Sequence, residues 1–191
     1  MKKLLTILAA VCMTTGVALA DGHAGGQDVN FTLGTSLCQE SGDAKCDDVG
    51  PNIAITAGYA FKFNGMFGAG LDIDYAMFGG DAGEDVSHMG AYAMGHYYLA
   101  AGPVNLDIGA GLGYSQFAFK VGDLDGTHTN FMGIKAGLAV NYPINDKMAV
   151  GLDVNFLMHG KSKPEIDGNE VDVESDMINQ LKVGLGFNYA L

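Results

Sequence analysis

The chain has 191 residues and a formal net charge of −12 at pH 7, with 22 acidic residues and no arginine. A chain this acidic lacks the basic surface that nucleic-acid binding requires, and an anionic membrane surface would repel its acidic parts. Although 48% of the residues are hydrophobic, no segment after the N-terminal region has the run of about 20 apolar residues that a transmembrane helix needs. The length fits one domain.

The N-terminus has the three parts of a secretory signal peptide. Lys2 and Lys3 form a positive segment, residues 4–13 form a short apolar run, and Ala18-Leu19-Ala20 is a small-x-small cleavage pattern. We expect residues 1–20 to be removed and residues 21–191 to fold as one domain. Because this removes two lysines and no acid, the net charge changes from −12 to −14.

Two cysteines remain after that cleavage, since Cys12 belongs to the signal peptide. Cys38 and Cys46 flank a short polar loop, and an isolated pair in an exported chain predicts a disulfide. A metal-binding pair is the weaker interpretation, because no histidine flanks the two cysteines. A ring this small stabilises a fold by about 2 kcal/mol at most.

Strict alternation of apolar with small or polar residues recurs along the mature chain. In the last segment, for example, Leu181, Val183 and Leu185 alternate with Lys182 and Gly184. Such alternation places the two sets on opposite faces of a β-strand. Eight strands are predicted in this way, at residues 29–37, 53–63, 67–77, 88–99, 104–119, 130–142, 148–158 and 177–191.

The connections between these strands alternate between short and long. Asn64-Gly65 predicts a two-residue hairpin turn, and Ala101-Gly102-Pro103 and residues 143–147 are also tight. The other connections are longer and polar, including residues 79–87, 121–128 and 160–175. Eight strands of about 10 residues with this alternation predict an antiparallel up-and-down transmembrane β-barrel. Closure satisfies every backbone hydrogen-bonding group, which lipid cannot do.

A soluble barrel of the lipocalin type is the alternative, with the apolar set around a ligand cavity. The opposite sets argue against it, because they are rich in Gly and Ala with few charges, which suits a narrow lumen better than a water-facing surface. The facing of 88–99 is ambiguous, and we expect the set that contains Tyr92 and His96 to point inward. Tyrosines suited to aromatic girdles at the membrane interfaces are Tyr59, Tyr75, Tyr97, Tyr142 and Tyr189.

The turn Ala101-Gly102-Pro103, the strand segment 109–114 and the segment 142–146 make the chain similar to a known family. It resembles the small outer-membrane β-barrel proteins of the OmpA, OmpX and opacity type. The resemblance implies a monomer in the Gram-negative outer membrane, with outer-membrane lipid and the barrel assembly machinery as partners, and we expect no periplasmic domain like that of OmpA. The assembly signal would comprise Lys182, Gly184, Phe187, Tyr189 and Leu191, where Leu191 departs from the family's usual terminal Phe.

Charged residues within the inward-facing sets form the first candidate site. They are Lys62, Asp72, Asp74, Asp107, Lys135, Asp153 and Lys182. In a narrow lumen we expect them to pair, since an unpaired buried charge costs several kcal/mol. The favoured interpretation is a structural charge network that closes the lumen, and a gated ion path through it is the alternative. Asp72 and Asp74 have a spacing suited to acid–base chemistry, but nothing marks a substrate site.

Histidines give no pattern typical of an enzyme. Some small barrels modify lipid A with a His-x-Ser arrangement and an acid, and neither Ser87-His88-Met89 nor Thr127-His128-Thr129 matches it. No Ser/His/acid set follows from the spacing. We therefore expect no catalysis and no cofactor, with His88 and His128 in solvent and with His96 and His159 hydrogen-bonded in the interior or at the rim.

The long connections contain most of the acidic residues. Asp123-x-Asp125-Gly126 and Asp167-Gly168-Asn169-Glu170 are partial calcium-loop patterns. We interpret them as solvated loops and expect no dedicated metal site there, while weak Ca²⁺ or Mg²⁺ binding is a milder hypothesis. The sequence thus predicts a structural or adhesin-like surface role through acidic outer loops, which would contact lipid or a host molecule. A small porin-like channel is the alternative, and a lipid A-modifying enzyme is less favoured.

Overall fold

The protein is described by a computed structural model. It describes residues 26–39, 53–79, 85–121, 124–160, 164–166, 169–170 and 178–191. The predicted signal peptide and Cys46 lie outside these residues, and the Cys38 side chain is not described, so the disulfide stays a prediction. Within the described part of the chain, no helix is long and apolar enough to cross a membrane.

Ten β-strands make up the described chain. They are β1 Gln27–Gln39, β2 Ile53–Lys62, β3 Phe67–Gly79, β4 Asp85–Ala101, β5 Val104–Val121, β6 Leu124–Pro143, β7 Met148–His159, β8 Pro164–Ile166, β9 Asn169–Glu170 and β10 Ile178–Ala190. Each of the strands β1–β6 pairs antiparallel with the next one in sequence. Strand β10 pairs with β7 and β1 and so closes the ring, and the short strands β8 and β9 are not part of this ring. The predicted eight-stranded antiparallel barrel is confirmed.

The two faces of the wall differ as the alternation predicts. Leu33, Leu185 and Leu152 lie side by side on β1, β10 and β7, and they are 52%, 74% and 48% exposed. A ring of large apolar side chains pointing outward is the lipid-facing band of a membrane barrel. The opposite set points into the lumen, and there Tyr92 and His96 on β4 are buried, as expected for that ambiguous strand.

One end of the barrel, which we call the turn end, carries three tight connections and the strand termini next to Gly26 and Leu191. Gly102 has φ +64°, which suits the first central position of a type II′ turn, and Pro103 supplies the fixed φ of the second. The predicted two-residue turn at Asn64-Gly65 is wrong in length. Asn64 Oδ1 accepts hydrogen bonds from the backbone amides of Met66 and Phe67, each at 2.8 Å, so the connection takes four residues, 63–66.

The opposite end, which we call the loop end, rises unevenly. Strands β4, β5 and β6 have 17, 18 and 20 residues, whereas the other five barrel strands have 10 to 13. The predicted polar loop at residues 121–128 is wrong, because β6 begins at Leu124 and pairs with β5 up to Val121. Likewise β4 starts at Asp85, inside the predicted loop 79–87.

An extra sheet therefore extends the barrel wall at the loop end. Strand β8 pairs with residues 126–128 of β6, and β9 pairs with β8, so part of the predicted loop 160–175 is ordered strand. A bulge lies at its base, because β6 has one extra residue where Gly113 pairs with Gly133 and Ser115 with Asn130. We call residues 116–121 and 124–130 together with β8 and β9 the outer sheet.

Candidate functional site

Glycines on the lumen face make room for polar side chains. Gly58 pairs with Asp72, and Gly137 pairs with Asn155. A Cβ atom at Gly58 would overlap Asp72 Oδ1, and one at Gly137 would overlap Asn155 Oδ1. In a barrel of eight strands the interior is just wide enough for side chains, so these glycines decide where a charged side chain fits.

The centre of the lumen is occupied by an ion-pair cluster. Lys135 Nζ on β6 lies 2.8 Å from Asp72 Oδ2 and 2.9 Å from Asp74 Oδ2, both on β3. Lys182 Nζ on β10 lies 3.0 Å from Asp74 Oδ1, and the Thr56 hydroxyl donates to the same oxygen. The predicted network thus brings together four of its seven members, from three strands that are not neighbours in the wall.

Burial makes this pairing necessary. Lys135 and Asp74 are 0% exposed, and Lys182 and Asp72 are 4% and 6% exposed. Taking such charges out of water costs several kcal/mol per ion, which only close opposite charges and hydrogen bonds offset. The ring of Tyr92, whose centroid lies 5.9 Å from Lys135 Nζ, adds a favourable cation–π contact.

The remaining three predicted members have other partners. Lys62 pairs with Asp28 at the turn end and lies over the Tyr98 ring, 4.8 Å from its centroid. Asp107 Oδ1 lies 3.0 Å from His96 Nδ1. The prediction missed Asp28 because it begins the first strand at residue 29, whereas β1 begins at Gln27.

Asp153 lies apart from the ion-pair cluster. Its carboxylate accepts a hydrogen bond from Thr32, and the residue is partly buried. Asp153 borders two small cavities, the larger of which has a volume of about 40 Å³. We call that larger space, on the turn-end side of the ion-pair cluster, the inner cavity.

The inner cavity shares part of its lining with a wider space at the turn end. That second space, which we call the vestibule, has a volume of about 150 Å³ and is bordered by Asp28, Lys62 and Tyr98. Asp107 and Asn188 border both spaces. Because one water needs roughly 10–15 Å³ of such volume, both spaces have room for water.

A histidine and aromatic cluster fills the lumen on the loop-end side. The His88 and His159 rings are 4.8 Å apart, and each contacts Phe117. The expectation that His88 lies in solvent is wrong, since it is 0% exposed: β3 and β4 continue past it and keep its side chain inside. The His128 side chain is outside the described part, so that expectation is not tested.

His159 Nδ1 lies 2.8 Å from Ser115 Oγ, a pair that the spacing of the sequence did not reveal. Ser115 and His159 are 1% and 2% exposed. A nucleophile must be reached by its substrate, and this Ser–His pair is enclosed by neighbouring side chains. Its geometry fits an interior hydrogen bond, as expected for His159.

Residues of the predicted assembly signal occupy both faces of β10. Lys182 belongs to the ion-pair cluster, while Phe187 and Tyr189 are 41% and 37% exposed on the lipid side. Lys147 Nζ lies 5.8 Å from the centroid of the Tyr189 ring. Recognition by the assembly machinery stays a prediction for Gly184, Leu191 and the other signal residues.

Comparisons with known proteins agree with this architecture. Similar solved structures include Neisserial surface protein A, with 13% identity, 88% of this chain and 99% of that chain covered and a TM-score of 0.60. Ail of Yersinia pestis, in complex with the heparin analogue sucrose octasulfate, has 12% identity, with 87% of this chain and 99% of that chain covered and a TM-score of 0.52. OprG of Pseudomonas aeruginosa has 14% identity, with 88% of this chain and 98% of that chain covered and a TM-score of 0.52. At these identities the similarity shows the fold alone.

A comparison with curated proteins found no match. The family description "Outer membrane protein beta-barrel domain" matches residues 5–190. This match covers nearly the whole chain and agrees with the closed barrel, its lipid-facing band and its similarity to outer-membrane barrels. The chain belongs to the outer membrane protein beta-barrel domain family and is an outer-membrane protein.

Proposed function

We propose that the protein is a structural outer-membrane barrel with a closed lumen that contacts a basic partner at the cell surface through its loop end. The observation that carries this proposal is the combination of a filled barrel centre with an outer sheet. The filled centre stabilises the barrel and blocks the passage of ions, and the outer sheet is the contact surface.

The filled centre supports the structural role. Lys135, Asp74, Tyr92, Leu157 and Gln180 are all 0% exposed. They lie between the inner cavity and the histidine and aromatic cluster, so a hydrated ion would have to displace several of them. Barrels of eight strands seldom leave an aqueous channel, and the packing here follows that rule.

Charge at the loop end supports a basic partner. The segments that connect strands at this end, residues 40–52, 80–85, 120–125 and 160–177, contain fifteen acidic residues and four lysines. Opposite charge steers association and sets specificity. Ail was solved with a polyanion, whereas this distribution favours a polycation such as a basic protein segment.

Titration of a fluorescent lysine decamer into the protein, refolded in phosphatidylcholine vesicles, tests the surface role. Replacing the six acidic residues between 164 and 177 by Asn or Gln should weaken binding at least tenfold, because it removes six of the fifteen acidic residues in these segments. Asp146→Asn, which changes an exposed carboxylate at the turn end, is the control and should bind as the wild type does. Equal affinity for the six-fold variant and the wild type would disprove the proposed contact surface.

A gated channel is the second candidate, and one observation favours it. The vestibule and the inner cavity lie next to each other between the turn end and Lys135, so the ion-pair cluster and the side chains beyond it separate these cavities from the loop end. In that case the wild type would conduct in discrete steps, and neutralising Lys135 would change the size of the steps.

Catalysis is not part of the proposed function. The Ser115–His159 pair is enclosed, and among the described residues no carboxylate makes a hydrogen bond to His159 Nε2, the ring nitrogen that the acid of such a triad would hold. Expression in a Gram-negative host should leave the mass of lipid A unchanged. A new lipid A species that disappears in Ser115→Ala would show an enzyme instead.

A further inference from the structure

The inner cavity has more negative charge around it than the neighbouring lysines balance. Asp72, Asp107 and Asp153 border it, and so does Lys135. Lys135 is shared between Asp72 and the deeper Asp74, and Lys182 pairs with Asp74, while the Lys62–Asp28 pair is neutral in sum. The four carboxylates of Asp72, Asp74, Asp107 and Asp153 therefore outnumber the two ammonium groups, and a charge on His96 would balance only its partner Asp107.

Two buried polar atoms on side chains that line the inner cavity have no hydrogen-bond partner among the described residues. They are Asp72 Oδ1 and His96 Nε2, and the two residues are 6% and 8% exposed. Asp72 already uses Oδ2 for Lys135, and His96 already uses Nδ1 for Asp107. A buried polar atom without a partner is destabilising, so both atoms favour a ligand or water beside them.

The donors around this space suit a hard cation. Besides the three carboxylates, the lining contains the amides of Asn30, Asn155 and Asn188 and the hydroxyls of Thr32 and Thr56. Carboxylate, carbonyl and water oxygens are the ligands of Mg²⁺, Ca²⁺ and Mn²⁺. Metals that prefer sulfur would find none here except Met94.

The spacing of the acidic groups indicates a cation that keeps water. Among the described residues, no three His, Cys, Asp or Glu side chains converge closely enough to hold a metal directly. The cavity of about 40 Å³ accommodates a few waters at roughly 10–15 Å³ each. A divalent cation that retains part of its hydration shell, as Mg²⁺ commonly does, fits both facts.

The vestibule lies next to the inner cavity at the turn end. It has a volume of about 150 Å³ and shares Asp107 with the inner cavity. Three carboxylates, of Asp28, Asp107 and Asp146, and the two lysines Lys62 and Lys147 border it, so its net charge is −1, which favours the approach of cations. The cation therefore has no need to pass the ion-pair cluster.

We propose that the inner cavity binds one partly hydrated divalent cation of the Mg²⁺/Ca²⁺ class, held by the carboxylates of Asp72, Asp107 and Asp153. The cation balances the carboxylate charge that exceeds the charge of the lysines and gives Asp72 Oδ1 a partner. The proposal does not depend on whether the loop end contacts a basic partner or on whether the barrel conducts.

Calorimetric titration with CaCl₂ of the full chain tests this site, after refolding in zwitterionic detergent and removal of metals with EDTA. The wild type should bind one Ca²⁺ in the lumen, in addition to any weaker binding at the acidic loops. Asp153→Asn and Asp107→Asn should each weaken the lumen site roughly 10- to 100-fold, the usual effect of losing a group that acts through a metal's water or ligand shell. Both changes keep the side-chain size, and a heat-dependent gel shift verifies that each variant folds.

Glu165→Gln is the matched control, because it removes an exposed carboxylate at the loop end and should leave the lumen site unchanged. Competition by MgCl₂ for the same site supports the proposed class of cation. An isotherm that is identical for the wild type and both Asn variants would place all binding outside the cavity and overturn the proposal. Absence of Ca²⁺ binding in the folded wild type would overturn it too.

Discussion

Lys135 on β6 and Asp74 on β3 meet across the lumen with their charged atoms 2.9 Å apart. Strands β3 and β6 are not neighbours in the wall, so this contact spans the barrel. Lys182 reaches the same carboxylate from β10 at 3.0 Å. One aspartate thus connects three parts of the wall, and this contact is the centre of the closed lumen that we propose.

Lys135→Met should destabilise the barrel strongly. The change leaves Asp72 with no cation in contact and Asp74 with Lys182 alone, and breaking a buried ion pair costs about 3–5 kcal/mol. Urea unfolding in lipid vesicles measures the loss of stability. The heat-dependent gel shift monitors unfolding, because the chain has no Trp whose fluorescence could report it. Lys147→Met, at an exposed turn-end position, is the control and should unfold like the wild type. Equal midpoints for the two variants would show that the cluster does not stabilise the fold.

Gly58→Val should destabilise the barrel through overpacking. A Cβ atom at Gly58 overlaps Asp72 Oδ1 and the Asn30 amide, and forcing such a contact costs about 1–3 kcal/mol. Gly95→Val is matched to it on the lipid side, where the nearest atom to a new Cβ is Ala110 O at 3.7 Å. We expect the same unfolding measurement to show a clear loss for Gly58→Val and little for Gly95→Val; the reverse order would mean that the assigned faces of the wall are exchanged.

Leu185→Arg tests the lipid-facing band directly. Leu185 is 74% exposed and lies between Leu33 and Leu152, and an arginine on the lipid face costs about 2–4 kcal/mol near the bilayer midplane. Met66→Arg, in a turn-end connection where Met66 is 52% exposed, should cost about 0–1 kcal/mol, as expected near an interface. A midpoint for Leu185→Arg as high as that of Met66→Arg would contradict the membrane placement.

The sequence contains enough information for the barrel and its faces because a strand has a period of two. Leu181, Val183 and Leu185 alternate with Lys182 and Gly184, and closure of the ring then decides which set meets lipid. The same alternation placed Lys135 and Asp74 in the lumen correctly. Both conclusions rest on local pattern alone.

Which charged side chains pair inside the lumen depends on the stagger of the strands around the barrel. The local sequence pattern does not determine this stagger. Lys62 was grouped with the central charges but pairs with Asp28 at the turn end. His88 was expected in solvent because the extension of β4 to Asp85 was not foreseen. The start of β6 is predicted as a loop because residues 122–128 are mostly polar or Gly, whereas pairing with β5 orders them as strand from Leu124 on.

Ion conductance in a planar lipid bilayer tests the closed lumen most directly. The protein is refolded first, and the heat-dependent gel shift verifies that the barrel has formed before it is added to the bilayer. We predict a silent membrane for the wild type, because the Lys135–Asp74 contact and the packed side chains around it occupy the centre of the lumen. Discrete, repeated channel openings by the folded wild type would contradict the account and show that ions pass through the cluster.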